Sequence, residues 1–374
     1  MGDKWCIYPT YDYTHCIHDS LEHITHSLCT LEFEMRRDSY YWLLEALDLY
    51  RPFVWEYSRL NLTRNVLSKR RLQKLVEKKL VSGWDDPRLL TINGLRRRGY
   101  TNDSINNFVD QIGVTRRGNE NILSINNLEV SVRRDLDKHA SRTMAVVDPI
   151  KVTLENLSND FNKEIETLLF PKNPELGKRI VNLTKVIYIE RTDFREIDDE
   201  DFFGLSINKE VGIKYCGTIL CKEIIKNDKN EILELKCVYT DEIKKTKGRI
   251  HWISDKDCSK CEIRLFDYLF LSENPGALDE NEFLNDINPK SLIVKHSALV
   301  NKNVLKNIKI FDHFQFERSG YYVVDTDSDI GNNKIIFNLT VDLGDKKDDE
   351  KGGKVGKNEK KEKIVKEKNE KPKK

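Results

Sequence analysis

The chain has 374 residues, 33% charged and 39% hydrophobic, a balance that suits a soluble globular protein of two to three domains at about 100–200 residues each. It holds no run of 18 apolar residues, which excludes a transmembrane helix, and Met1 to Cys6 has neither a signal-peptide layout nor, with Cys at position 6, a myristoylation pattern. The net charge of +1 is uneven: residues 351–374 carry 11 Lys and 4 Glu, a net +7, which leaves −6 for the rest, so a nucleic-acid partner would be met by local basic patches and not by a global field.

In chain order, Trp5 to Tyr8 reads as a short buried strand, followed by a helix capped by Asp19 and running to about Ser27, with Leu21, Ile24, Thr25 and Leu28 at helical spacing. Ser39 to Leu49 forms a second helix with Tyr41, Leu44, Leu47 and Leu49 as its apolar positions. Strand–helix–strand order implies an α/β layer, and a parallel sheet needs more strands than the chain offers at this point, so the expectation is the second half of such a layer. Residues 66–140 turn helical. Leu72, Leu75, Val76 and Leu80 share one face, with Gly83 as the stop; Thr101 to Ile112 ends at Gly113; and Ser124 to Lys138 places Leu128, Val132 and Leu136 on one face, with Arg133 and Arg134 off it.

From Pro149 short strands dominate: 151–154, 186–189, 219–225, 232–239, 249–253, 262–270, 292–294, 314–324 and 335–341, separated by polar turns such as Asn227 to Asn230. This implies an all-β region, sandwich or barrel, of about 195 residues and up to two units. Residues 344–374, rich in Lys, Glu and Gly, are expected to be disordered; the tail serves either RNA affinity or solubility. Eight cysteines without a secretion signal read as reduced cytosolic thiols. Cys258 and Cys261 form the single C-x-x-C, Cys216 and Cys221 read as core packing, and no metal site is expected.

The stretch Val66-Leu67-Ser68-Lys69-Arg70-Arg71 sets a hydroxyl beside a lysine in a basic run ahead of a helix. Such a loop suits polyphosphate, although a solvated face is the commoner meaning of the same run. Its neighbours decide. CIYPTYDYTHCIHDSLEHITHSLCTLEF (6–33), YSRLNLTRNVLSKRRL (57–72), GWDDPRLLTINGLRRRGY (83–100), RTMAVVDP (142–149), KGRIHW (247–252) and FQFERSGYYVVD (314–325) closely resemble the glutaminyl-tRNA synthetases, class I aminoacyl-tRNA synthetases, over about residues 3–343.

The resemblance implies a fold: the C-terminal part of a Rossmann-type α/β catalytic domain (1–65), a KMSKS-type loop and helical stem-contact subdomain (66–145), two antiparallel anticodon-binding β-barrels (146–343) and the tail (344–374). It also implies an activity, ATP-dependent charging of tRNA(Gln) with L-glutamine through an aminoacyl-adenylate. ATP with Mg2+ would be a substrate, and the protein would be a cytoplasmic monomer with no membrane role. The family's HIGH-type motif does not occur in this chain. Isolated catalysis is therefore in question, and a non-catalytic tRNA-binding module or a glutamate-specific relative stand as alternatives.

Residue by residue, the resemblance assigns Val66, Leu67, Ser68, Lys69 and Arg70 to the KMSKS-type loop, with Lys69 steadying charge on the pyrophosphate leaving group and Ser68 donating to a phosphate. Arg59 and Leu60 would line adenine and ribose. Tyr11, His15, Cys29 and Phe33 would form the glutamine pocket. Eukaryotic glutamyl enzymes carry arginine where Cys29 stands, which suits a carboxylate and not an amide. Val54 departs from the family's glutamine near the substrate. For the anticodon, Arg142 and Asp137 resemble base-contacting positions, and Gln315 and Arg318 resemble contacts to the first base. In residues 194–211, Asp201, Phe203 and Gly204 stand where relatives place Lys and Arg. Arg96, Arg97 and Arg98 either approach the tRNA backbone or pair with Asp85 and Asp86.

Overall fold

The computed structural model describes residues 2–116 and 122–344; the expected disorder of the tail lies outside these except for Gly344. The chain divides into two compact units, residues 1–63 with 108–125, and residues 64–107 with 126–374.

In the first unit, α1 (Tyr11–Leu21) is followed by β1 (His26–Thr30), α2 (Arg37–Ala46) and β2 (Phe53–Tyr57). β1 and β2 pair in parallel, Cys29 opposite Glu56, so α2 is the crossover helix that a parallel pair requires. Cys16, Tyr40 and Leu44 form the core between the helices, with Ile17, Leu49 and Val54 packed against it. A second parallel pair joins β3 (Asn61–Leu62) to β4 (Ile122–Leu123).

The α/β reading holds here, but two elements differ. Trp5 to Tyr8 is irregular rather than a strand, with Trp5 60% and Ile7 86% exposed. The first helix lies earlier than expected and Ser27 belongs to β1: His23 takes φ +54°, and Ile24 N–H closes onto Asp19 C=O at 2.9 Å. That is a Schellman-type stop. Asp48 (φ +51°) ends α2 in the same way through Leu49 N–H to Leu44 C=O.

The second unit begins with α3 (Lys69–Glu77) and α4 (Ile92–Arg98); α5 (Asn102–Ile112) runs from it into the first unit, and α6 (Asn126–His139) returns to it. Lys79, at φ +55°, stops α3, with Leu80 N–H bonded to Leu75 C=O; the expected stop at Gly83 comes four residues too late. Leu72 and Leu75 of α3 enter a core with Val66, Val81, Leu89, Leu269, Phe270 and Phe283. On α6, Leu128, Val132 and Leu136 are buried as expected, but so is Arg133, because its guanidinium reaches Asp342 (2.9 Å) and Glu129 (3.5 Å).

Strands follow in the order β5 (Ser141–Thr143), β6 (Ala145–Val146), β7 (Pro149–Leu154), β8 (Asn162–Leu168), β9 (Lys178–Thr184), β10 (Val186–Glu190), β11 (Glu210–Ile213), β12 (Thr218–Lys226), β13 (Ile232–Thr240), β14 (Arg249–Ile250), β15 (Ile253–Ser254) and β16 (Cys258–Phe266). A short helix α7 (Glu280–Asn285) precedes β17 (Leu292–Asn301), β18 (His313–Phe316), β19 (Gly320–Val324) and β20 (Ile336–Asp342). They form two seven-stranded sheets, ordered β14-β11-β12-β13-β7-β10-β15 and β5-β18-β19-β20-β16-β17-β6, with β8 and β9 as a separate hairpin. Both sheets are mixed: β11·β14 and β13·β7 are parallel in the first, β18·β5 and β16·β20 in the second. Strands 249–253 and 314–324 each split in two, and β5, β6, β8, β9 and β11 are additional to those read from the sequence. Cys216, Cys221 and Cys237 lie in the core of the first sheet. Among the described residues no helix is long and apolar enough to cross a membrane.

Helix α4 docks on the second sheet through its own basic end. Arg97 grips the wholly buried Asp325 through Nε (3.0 Å) and Nη2 (3.1 Å) and adds Asp327 (2.7 Å) and Asp85 (3.0 Å). Arg98 donates to the carbonyls of Thr340, Pro87 and Phe266. Gly99 closes the helix at φ +95°, where a Cβ would lie 2.4 Å from Thr340 Oγ1; only glycine fits both constraints. Burial opposes the charge on Asp325, yet the Arg97 hydrogen bonds hold its carboxyl below the usual carboxylate range.

A depressed folded-state value means the pair stabilises fully above the unfolded carboxylate pKa of about 3.9 and loses that contribution as pH falls through the folded value. Arg97→Met should therefore destabilise the chain by about 3 kcal/mol at pH 7 and by progressively less below pH ~4, read by urea denaturation across pH. An equal loss at pH 3 and pH 7 would show that packing, not charge, carries the contact.

Candidate functional site

Tyr11, His15, Cys29 and Phe33 line one cleft in the first unit, together with Asp12, Arg36, Arg37, Tyr40, Val54 and Glu56. The α1 spacing of four puts Tyr11 and His15 on one face, their rings stacked at 5.1 Å, and Phe33 closes on Tyr11 at 4.7 Å. Tyr11 Oη lies 3.7 Å from Cys29 Sγ. Burial, then the Cys29 contact, pushes the Tyr11 phenol up to about 12, so it stays a neutral donor and acceptor. Cys29 is buried at the end of β1, and Val54 supplies an apolar wall from β2.

The charged lining of this cleft is self-compensated. Arg37 Nε donates to Glu56 Oε1 at 3.1 Å, and Arg36 stands 3.6 Å from Asp12. Burial works against the Glu56 charge, but Arg37 keeps its carboxyl below the ordinary range. His15 Nε2 meets Ser27 Oγ at 3.0 Å and Asp19 Oδ2 at 3.1 Å, and Ser27 in turn donates to Asp19. Elsewhere in this unit Arg59 pairs with Glu32 at 2.9 Å, and Leu60 is exposed.

The basic loop belongs to the second unit. Val66 is buried in the apolar core while Leu67, Ser68, Lys69 and Arg70 are exposed. Ser68 occupies the N-cap of α3 without spending its hydroxyl on a cap bond. The helix start thus offers N–H groups, a hydroxyl and two cations with no hydrogen bond to described residues, a combination that suits an oxyanion. Arg71 differs from its neighbours. It donates to the carbonyls of Pro275 and Leu278, both at 2.6 Å, and lies 5.0 Å over the Phe283 ring. The run is therefore four exposed residues between two anchors.

At the sheets, Asp137, Arg142 and Gln315 come together. Arg142 Nη2 donates to Asp137 at 3.3 Å, Lys172 also donates to Asp137, and Gln315 sits beside Arg142 in the parallel β5·β18 register. An open cleft of about 490 Å³ adjoins Arg142, with His139, Phe170, Arg179 and His313 on its walls. Arg318 is turned elsewhere, into a bidentate grip on Asp193 at 2.6 and 2.8 Å.

Glu317, which carried no sequence signal beyond its place in FQFER, is 3% exposed and accepts from Arg179, Lys214 and Tyr215 at once. In the acidic run, Phe202 packs beneath Arg195 (4.4 Å) and Lys209 (5.4 Å), while Phe203 is exposed. A Cβ at Gly204 would lie 2.4 Å from Asp193 C=O, so no larger residue fits that turn as folded. Of the arginine triplet, Arg97 pairs with Asp85 while Asp86 is held by Arg88; only Arg96 faces outward, stacked on Phe311 at 4.6 Å.

The catalytic-domain model of class I tRNA synthetases (E and Q) matches residues 1–138, and two anticodon-binding-domain models of the same group match 140–240 and 249–325. The chain belongs to the class I tRNA synthetases of the E and Q group. It is 48% identical to a probable glutamine–tRNA ligase of Dictyostelium discoideum, over 94% of this chain and 44% of that protein. Identity is 49% to the glutamine–tRNA ligase of Lupinus luteus, over 92% and 44% respectively, and 43% to that of Proteus mirabilis (strain HI4320), over 92% and 62%. The chain spans about half the length of the curated relatives it matches.

Because Arg71 is the loop's second anchor, Arg71→Ala should raise amide exchange at residues 67–70 by about tenfold while leaving α6 unchanged, read by hydrogen–deuterium exchange with mass spectrometry. Equal rates in both proteins would show that Val66 alone holds the loop.

Proposed function

We propose that this chain acts in ATP-dependent ligation of L-glutamine to tRNA(Gln) through a glutaminyl-adenylate, with ATP and Mg2+ as substrate. The observation that carries the reading is the single cleft formed by Tyr11, His15, Cys29 and Phe33, in which a neutral phenol and a cysteine face the same space. Among the described residues both arginines of the cleft already face a carboxylate, Arg37 that of Glu56 and Arg36 that of Asp12; an amide is the better match.

In this scheme Lys69 neutralises charge that develops on the pyrophosphate, Ser68 donates to a phosphate oxygen, and Val66, Leu67 and Arg70 shape the same loop. Arg59 and Leu60 hold the nucleoside. Charge placed in advance at the leaving group lowers the barrier without reorganisation at the moment of reaction. Asp137, Arg142 and Gln315 read the anticodon, and Arg318 joins them on release from Asp193. The boundaries 1–65, 66–145, 146–343 and 344–374 mark the catalytic half-domain, the helical stem-contact segment, two anticodon-binding barrels and the tail. The protein works in the cytoplasm as a monomer.

Glutamine-dependent ATP–pyrophosphate exchange with the purified chain tests the assignment. Lys69→Ala should reduce exchange by about 100-fold or more, and Cys29→Arg should move preference from glutamine toward glutamate. Absence of exchange, together with tRNA binding that falls steeply with salt, would instead make the chain a tRNA-binding module.

A further inference from the structure

The cleft residue His15 ends a hydrogen-bond relay, with Ser27 and Asp19, that assigns its proton. Ser27, fully buried, donates its only proton to Asp19 Oδ2, which leaves its oxygen as an acceptor toward His15 Nε2 at 3.0 Å. Asp19 Oδ2, 3.1 Å from the same nitrogen, is a carboxylate oxygen and also accepts. Two acceptors converge on Nε2, so Nε2 carries the hydrogen. In a neutral ring the lone pair then sits on Nδ1, which has no hydrogen-bond partner among the described residues. Stacking on Tyr11 and an edge contact with Tyr40 at 5.4 Å hold the ring plane.

We propose that Asp19 and Ser27 are positioning residues that lock His15 as the Nε2–H tautomer and so present Nδ1 as an acceptor for a donor group of the amino-acid substrate. This rests on the glutamine reading of the cleft and adds to it a source of selectivity distinct from Cys29. An amide N–H can satisfy the Nδ1 lone pair, whereas a carboxylate opposes it, and a buried mismatch of that kind is the strongest form of rejection available to a pocket. A substrate donor held by Nδ1 is also held by a ring that cannot swing, because its far nitrogen is tied to two elements, α1 and β1.

The test is the imidazole nitrogen spectrum of the 15N-labelled whole chain at pH 8, with His15 assigned by its loss in His15→Gln. The expected result is a single tautomer protonated at Nε2. It should be retained in Ser27→Thr, and the tautomer ratio should move by about tenfold in Asp19→Asn/Ser27→Ala. Protonation at Nδ1 in the parent chain, or an unmoved ratio in the double variant, overturns the proposal. Added L-glutamine should shift the Nδ1 resonance and L-glutamate should not; equal responses overturn the selectivity. If the parent tautomer is as stated but no resonance of Tyr11, His15 or Phe33 responds to glutamine, the glutamine reading fails, and the ligand half of the proposal fails with it.

Discussion

One buried ion pair fixes the frame on which the second unit is built. Asp325 is fully inside, and its principal partner is Arg97, which together with Arg98 at the end of α4 reaches the second sheet; Arg264 and Asn338 complete the set. A carboxylate at that depth costs several kcal/mol unless it is paired, so its bidentate contact with Arg97 strongly favours this docking of α4. From that docking follow the left-handed Gly99, the carbonyl contacts of Arg98, and the short link into α5. Leu89, just ahead of α4, then packs with Leu72 and Leu75, which sets the helix that carries Lys69.

The same economy recurs wherever chemistry is expected. Charges that would compete for a ligand are paired off: Arg37 with Glu56, Arg71 with backbone carbonyls, Arg97 with aspartates. Those left exposed, Lys69 and Arg70, stand at a helix start where backbone N–H groups add to them. A cleft whose charges face one another and a loop with exposed cations are different electrostatic environments, one suited to an amide side chain and the other to a polyphosphate.

Much of this was legible in the residues. α2, α5 and α6, and most strands after Pro149 follow from periodicity and turn chemistry, and the motif resemblance leads to the matched family; the parallel β1·β2 pair does not, since the expected first helix runs over the start of β1. What was not legible has common causes. Glycine is the visible signal of a helix end, but His23, Asp48 and Lys79 take the left-handed conformation themselves, which costs only of order 1 kcal/mol and is offset by the closing hydrogen bond. In the hairpin of β8 and β9 the apolar residues Ile165, Leu168, Ile180, Val181 and Leu183 are scattered among polar ones and form no hydrophobic run longer than two. Trp5 and Ile7 look like a strand by composition but pair with no strand among the described residues. Arg71 and Arg133 read as surface because sequence spacing cannot reveal a carbonyl or carboxylate supplied from 200 residues away.

The second sheet starts before the first: β5 and β6 precede β7, yet β5 pairs with β18, Ser141 beside Phe314. In a nascent chain β5 and β6 therefore lack their strand partners, β18 and β17, until the whole first sheet and part of the second have been synthesised. At roughly 5–20 residues per second that wait lasts on the order of ten to thirty seconds. Such a topology has high contact order and folds slowly. The first sheet can assemble with Met144 and Val146 already in its core, while the strand pairs of β5 and β6 in the second sheet close only afterward, which orders the two events in time by connectivity.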